Sequence, residues 1–247
     1  MQNYWLTFIS NENLFDHVKN TVLKYRFDID LAKFNENLID PIKLTFDSKV
    51  YQKTIDDVIE SEVMRQIDKS NTNHIGYFHQ NIFKYFWNWW TVPEQWYDVI
   101  NEQQSIFVEM KNKHNTMNSS SSQKTYMRMQ GTIITNPNAT CYLVEVIAKN
   151  SQNITRINSL DWNRVSHEKI RRISIDKFYE LVTWDKFAFR DLCLVIPKVL
   201  DDVILEVWDR ISGNTVFEEL NDISANLLKS IYLLSFRRYE WFNLFEI

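Results

Sequence analysis

The sequence predicts an α/β fold: a mixed sheet flanked by helices and extended by helical segments at both ends. Three observations carry the prediction. Residues 105–111 alternate apolar Ile106, Val108 and Met110 with Phe107, Glu109 and Lys111, the period-two pattern of a strand. Residues 139–149 contain an apolar run, CYLVEVIA, typical of a strand buried on both faces. Most of the remainder follows the helical period, and 45% hydrophobic and 15% aromatic residues are enough to bury a large core.

Taken in order, residues 11–25 place Leu14, Phe15, Val18, Val22 and Leu23 at helical spacing behind Asn11 as a cap. Residues 27–40 carry a weaker helical pattern that Pro41 limits, and 41–47 reads as a connector. A helix over 50–69 follows, with a stripe of Ile55, Ile59, Val63 and Ile67 and a polar face of Glu62, Arg65, Gln66 and Lys69. Beyond a loop at 70–74, residues 75–90 carry an aromatic stripe (Phe78, Phe83, Phe86, Trp90) that reads as core. The polar turn at 101–104 folds the Asp98 segment back antiparallel to the 105–111 strand, which brings Asp98 level with Glu109. The serine run Ser119 to Ser122 enters a helix bearing Gln123, Lys124, Tyr126, Met127 and Arg128, and the buried 139–149 strand comes next. Residues 150–174 are polar and basic, with Arg156, Arg164, Lys169, Arg171 and Arg172. A helix starting at Asp176, one over 187–207 kinked near Pro197, and one over 216–245 complete the chain.

Composition excludes several functions. Net charge is −4 and the isoelectric point is near 5.8, so bulk electrostatics does not bind this chain to nucleic acid, and DNA binding requires a local basic cleft. With three glycines there is no glycine-rich phosphate loop, so no nucleotide cofactor is expected, and phosphate chemistry must rely on metal. No apolar run has the length of a membrane span, and MQNYWLTFIS lacks the basic flank and cleavage site of a signal peptide, so a cytoplasmic protein with no membrane partner is expected. Cys141 and Cys193 lie in apolar surroundings without zinc-site spacing and read as buried thiols. His74 and His79 are five apart, not the four that aligns two ligands on a helix, so no histidine metal site is expected.

The Asp98 hairpin is where chemistry concentrates. Glu109 and Lys111 share a strand face, and Asp98 faces Glu109 across the pair, so two carboxylates and an amine converge. Paired carboxylates suit a hard cation such as Mg2+, and a neighbouring ammonium can orient a water for attack on phosphorus. The same pattern also fits a solvated strand face.

Asp98, ten residues, then Glu109-Met110-Lys111 resembles the PD-(D/E)xK nuclease signature, with Tyr97 where the signature has a proline of no chemical role. The phrases RQIDKSNTNHIGYFHQNIF (65–83) and SIFVEMKNKHNTMNSSSSQKTY (105–126) resemble the type II restriction endonucleases that recognise GGNCC. The resemblance implies a PD-(D/E)xK restriction-endonuclease-like sheet and Mg2+-dependent cleavage of double-stranded DNA at GGNCC, leaving 5′-phosphate ends. A palindromic site implies a homodimer with one active site per strand. Asp98 and Glu109 would hold the metal and Lys111 would position the water. An upstream helical acid often joins such sites; Glu62 is the nominee and Glu60 its competitor. At the strand-to-helix junction Lys113, Asn118, Ser119, Gln123 and Lys124 are placed to meet DNA phosphate. Arg164, Arg171 and Arg172 are candidates for reading guanine through their planar forks, a surface ion-pair cluster being the other reading. A single domain over 1–247 is expected, with a helical part to about 90, a catalytic core over about 91–150 and a DNA-reading and helical part from about 151. A structure-selective or repair nuclease of this fold, and a DNA-binding protein without catalysis, are the rival functions.

Overall fold

The structure is a computed structural model that describes residues 3–87, 89–160, 163–207 and 215–236. In chain order its elements are α1 (Asn11–Val22), α2 (Leu31–Asn35), α3 (Pro41–Tyr51), α4 (Ile55–Asn81), a 3-10 turn (Ile82–Tyr85), β1 (Val99–Asn101), β2 (Ile106–Lys113), α5 (Ser119–Thr135), β3 (Thr140–Ile147), β4 (Asn153–Leu160), β5 (Asn163–Ser174), α6 (Ile175–Thr183), α7 (Ala188–Val207), α8 (Val216–Ile223) and α9 (Leu227–Phe236). They form two compact units: Met1–Leu23 with Ile75–Glu206, and Lys24–His74 with Val207–Ile247. The sequence shows no boundary because the second unit is assembled from two stretches far apart in the chain.

The first unit is built on a five-stranded mixed sheet in the order β1-β2-β3-β5-β4. β1 and β2 are antiparallel, β2–β3 and β3–β5 are parallel, and β4–β5 is antiparallel. The β2–β3 parallel pair needs a crossover, which α5 supplies. Tyr126 and Met129 of α5 pack with Tyr97, Cys141, Leu143 and Ile170 on one face of the sheet, with Phe107 beside them. On the other face Phe178 of α6 meets Tyr142, and its ring lies 5.1 Å from Phe83 and 5.7 Å from Trp90. The aromatic stripe therefore is core, as expected. The second unit packs Ile29, Phe34, Leu44, Ile59, Val63, Val216, Leu220 and Ile231 into its own apolar centre.

Several elements differ from the sequence reading. Residues 41–47 are no connector but the start of α3, because proline at the first helical position loses no hydrogen bond and Asp40 caps the amides of Ile42 and Lys43. Residues 70–74 are not a loop: α4 runs through them to Asn81. These weak helix formers are tolerated there, and Asn71 binds both the N–H and the C=O of Arg26. The expected 216–245 helix is two, α8 and α9, interrupted where Ser224 is extended, and its last residues lie outside the described ones. Ser10, not Asn11, caps α1 through the Asn13 amide. Within residues 150–174, β4 and β5 pair antiparallel, and their register slips between Thr155 and Ile157. That irregularity lies at Arg156, whose side chain is 2% exposed under α5. Cys141 is buried as expected, but Cys193 is exposed on α7. Pro197 lies inside α7, and no helix among the described residues is long and apolar enough to cross a membrane.

Candidate active site

Turn chemistry sets the register of the β1–β2 hairpin. The Asn101 side chain accepts the Gln104 amide at 3.0 Å, the Ser105 amide reaches Glu102 O at 3.1 Å, and Val99 then pairs with Val108. One step outward in the same register, Asp98 stands across from Glu109. The Asp98 amide donates to Val108 O at 2.9 Å, and its Oδ2 accepts the Met110 amide at 2.6 Å. Burial, and then the negative charge of Glu109, raise the Asp98 carboxyl above its ordinary pKa, against the lowering pull of the Met110 amide, Lys111 and Arg128. The two carboxylates therefore sense one another in a half-buried setting.

On β2 the exposure alternates as the period predicts, with Val108 and Met110 buried and Glu109 and Lys111 partly open. Lys111 Nζ lies 2.7 Å from Glu109 Oε1, and Arg128 of α5 binds the other oxygen, Oε2. Glu109, Lys111, Lys124, Ser121 and Arg128 line a cleft of about 630 Å3 with the exposed Trp96 at its margin. Asp98 is not in the lining, and Glu109 keeps only 12% of its side chain exposed, so the pair is less open than a solvent-filled cleft would make it.

The donor set fits a divalent cation of the magnesium kind. Two carboxylates repel across a hairpin and are balanced at present by cationic side chains. Among the described residues no group of three or more His, Cys, Asp or Glu could hold a metal, so Asp98 and Glu109 stand as a pair. Mg2+ is commonly bound by one or two carboxylates, with water and substrate phosphate completing its shell.

The other nominated residues are placed unevenly. Lys124 lines the cleft, while Asn118 caps α5 by accepting the Ser121 amide at 2.8 Å and Ser119 opens the helix. Lys113 is exposed at the end of β2. Gln123 is turned to β4, donating to Ser159 O at 3.1 Å. Arg164 is exposed on β5. Arg171 is tied at 2.6 Å to both the side chain and the carbonyl of Asn153, and Arg172 Nε lies 3.5 Å from the buried Glu145. Glu62 belongs to the second unit, where Arg65 grips it with two 2.6 Å bonds and Gln66 with one at 3.1 Å. Burial pushes the Glu62 carboxyl up, but those bonds outweigh it and its pKa falls, so its contacts are those of a structural ion pair and lend no support to a metal role. Glu60 is exposed.

Three residues of this region escaped sequence reasoning. Arg128 shares with the nominated Lys124, and with Ser121 and Thr125, the α5 face that lines the cleft, at a helical spacing present in the sequence. Glu145, opposite Lys111 in the β2–β3 register, is 2% exposed and is held by His114 Nδ1 at 2.9 Å. Arg156 Nη2 donates to Ser122 O at 3.2 Å and Oγ at 3.0 Å, and burial, with Arg172 nearby, pulls its pKa down to about 10. No pattern in β3 separates Glu145 from a strand-end charge.

A mixed sheet with helices on both faces, carrying a carboxylate pair and a lysine on an antiparallel hairpin at its edge, defines a restriction-endonuclease-like enzyme. Within that class the chain belongs to the Eco47II restriction endonuclease family, whose model matches residues 6–205. It is 33% identical to the Type II restriction enzyme Sau96I of Staphylococcus aureus, in an alignment covering 94% of this chain and 99% of that protein. It is 28% identical to the Type II restriction enzyme Eco47II of Escherichia coli, over 81% of this chain and 89% of that one. The protein is thus a nuclease of the type II restriction class, and DNA is its substrate.

Proposed function

We propose that this enzyme cuts both strands of duplex DNA at GGNCC with Mg2+ as cofactor, acting as a homodimer with one site per strand. The observation that carries the reading is the hairpin register that sets Asp98 against Glu109 with Lys111 on the same face as Glu109. Asp98 and Glu109 hold the cation. When bound, Mg2+ supplies Lewis acidity to the phosphoryl group and charge to favour the attacking oxygen. Lys111 orients the attacking water and offsets negative charge that develops on phosphorus. Ser121 and Lys124 grip backbone phosphate in the same cleft, with Lys113, Asn118 and Ser119 extending the contact beside it. Among the three arginines nominated for reading G·C pairs, Arg164 is exposed, whereas Arg171 and Arg172 must first leave Asn153 and Glu145.

The test is a digest of DNA of known sequence in Mg2+. Discrete fragments ending at GGNCC are expected. Fragments mapping elsewhere refute the site, a smear points to a structure-selective nuclease, and intact DNA points to binding without catalysis. Sedimentation with and without a GGNCC duplex tests the dimer, and a monomer in both states would remove it.

A further inference from the structure

We propose that Arg128 is an exchangeable cation of the active site: it occupies Glu109 while no metal is bound, and it turns to the substrate phosphate once the carboxylates take up their cation. The inference rests on the reading of Asp98 and Glu109 as the metal pair. Arg128 reaches the site from α5, not from the hairpin that carries the signature residues. Its Nη2 binds Glu109 Oε2, while Lys111 holds Oε1, so both oxygens of that carboxylate are engaged by cationic side chains. Arg128 thus sits directly on one of the two carboxylates of the proposed metal pair.

Electrostatics makes this contact conditional. A guanidinium and a divalent cation cannot share one carboxylate oxygen in a half-buried site without strong repulsion, so Arg128 must yield Oε2 when the cation arrives. Where it goes is limited by its surroundings. The guanidinium lies 4.8 Å over the Tyr97 ring, a platform that keeps it at the cleft wall after Glu109 is released. Its Nε is buried and has no hydrogen-bond partner among the described residues, so part of its fork already lacks an acceptor. The cleft it lines also holds Lys124 and Ser121, and a planar fork matches phosphate oxygens in pairs. Arg128 therefore keeps the carboxylates balanced before metal binding and holds phosphate after it.

The two roles predict opposite changes in one variant. Arg128→Met removes the competing charge, so Ca2+ alone, titrated calorimetrically without DNA, should bind about tenfold tighter than to wild type, while single-turnover cleavage in Mg2+ should fall by about 100-fold or more. Unchanged or weaker Ca2+ binding, or cleavage within threefold of wild type, overturns the proposal. Arg128→Lys keeps the charge and loses the fork: Ca2+ affinity should match wild type with cleavage about tenfold lower, and wild-type cleavage there overturns the proposal even if the methionine variant does not fold. Glu109→Gln is the control on the underlying reading. If it binds Ca2+ as wild type does, the metal-pair assignment itself fails; if it loses Ca2+ while Arg128→Met matches wild type, only the role of Arg128 fails.

Discussion

Replacing Asp98 separates the charge of this carboxyl from its hydrogen bond. In the wild type Oδ2 accepts the amide of the buried Met110 at 2.6 Å. Asp98→Ala leaves that amide without a partner, at a cost of about 1–3 kcal/mol. Asp98→Asn retains an acceptor at the same place and removes the repulsion from Glu109, so it should stay within about 1 kcal/mol of wild type at pH 7. At roughly 2–4 °C per kcal/mol for a chain of this size, alanine should melt several degrees below asparagine. The pH dependence has a definite sign. Because burial and Glu109 raise the folded pKa of Asp98, the native state holds its proton more tightly than the unfolded chain. Stability is therefore lost as pH rises from the ordinary carboxylate value of 3.8 through the raised one, and the loss persists above it. Asparagine lacks this loss, so its stability relative to wild type should be greater at pH 7 than at pH 4. Both variants should cleave DNA at least about 1,000-fold more slowly, since each lacks half of the proposed cation pair. Thermal melts at the two pH values and single-turnover cleavage on one preparation decide the matter. An asparagine variant with the same relative stability at both pH values, or cleaving within tenfold of wild type, would refute the reasoning.

Lys111→Ala should lower cleavage by several orders of magnitude while gel-shift affinity for cognate DNA in Ca2+ stays within about tenfold; equal losses of binding and cleavage would remove Lys111 from the catalytic set. Arg172→Ala strips a cation from the buried Glu145 and should destabilise the fold by about 1–3 kcal/mol, whereas Lys124→Ala should leave the melt unchanged and weaken cognate and random DNA alike; the reverse pattern by calorimetry and titration would contradict both placements. Burial, reinforced by His17, pulls the pKa of His79 from 6.5 down to about 4, so the unfolded chain takes up its proton first and stability falls as pH drops between those values, by up to about 3 kcal/mol. His79→Gln should flatten that acid limb in denaturant titrations, and an unaltered limb would assign it to other groups.

By itself the sequence determined what local physics decides. The two-residue period of β2 fixed which side chains share the Glu109 face, and a turn as short as 101–104 leaves the chain few registers, so Asp98 opposite Glu109 followed without any distant contact. The apolar run of β3 and the serine-rich entry into α5 were legible for the same reason. A weaker local signal misled where a distant partner won: Asn71 binds Arg26, 45 residues away, within a polar stretch that stays helical in α4. Only the tertiary structure decided which elements meet. The α5 crossover carries Arg128 onto Glu109 from 19 residues away, and the parallel β2–β3–β5 pairing gathers Lys111, Glu145 and Arg172 at neighbouring positions. A side chain's charge is written in the sequence, but its partner depends on chain closure over long loops, whose outcome the packing of the whole core selects.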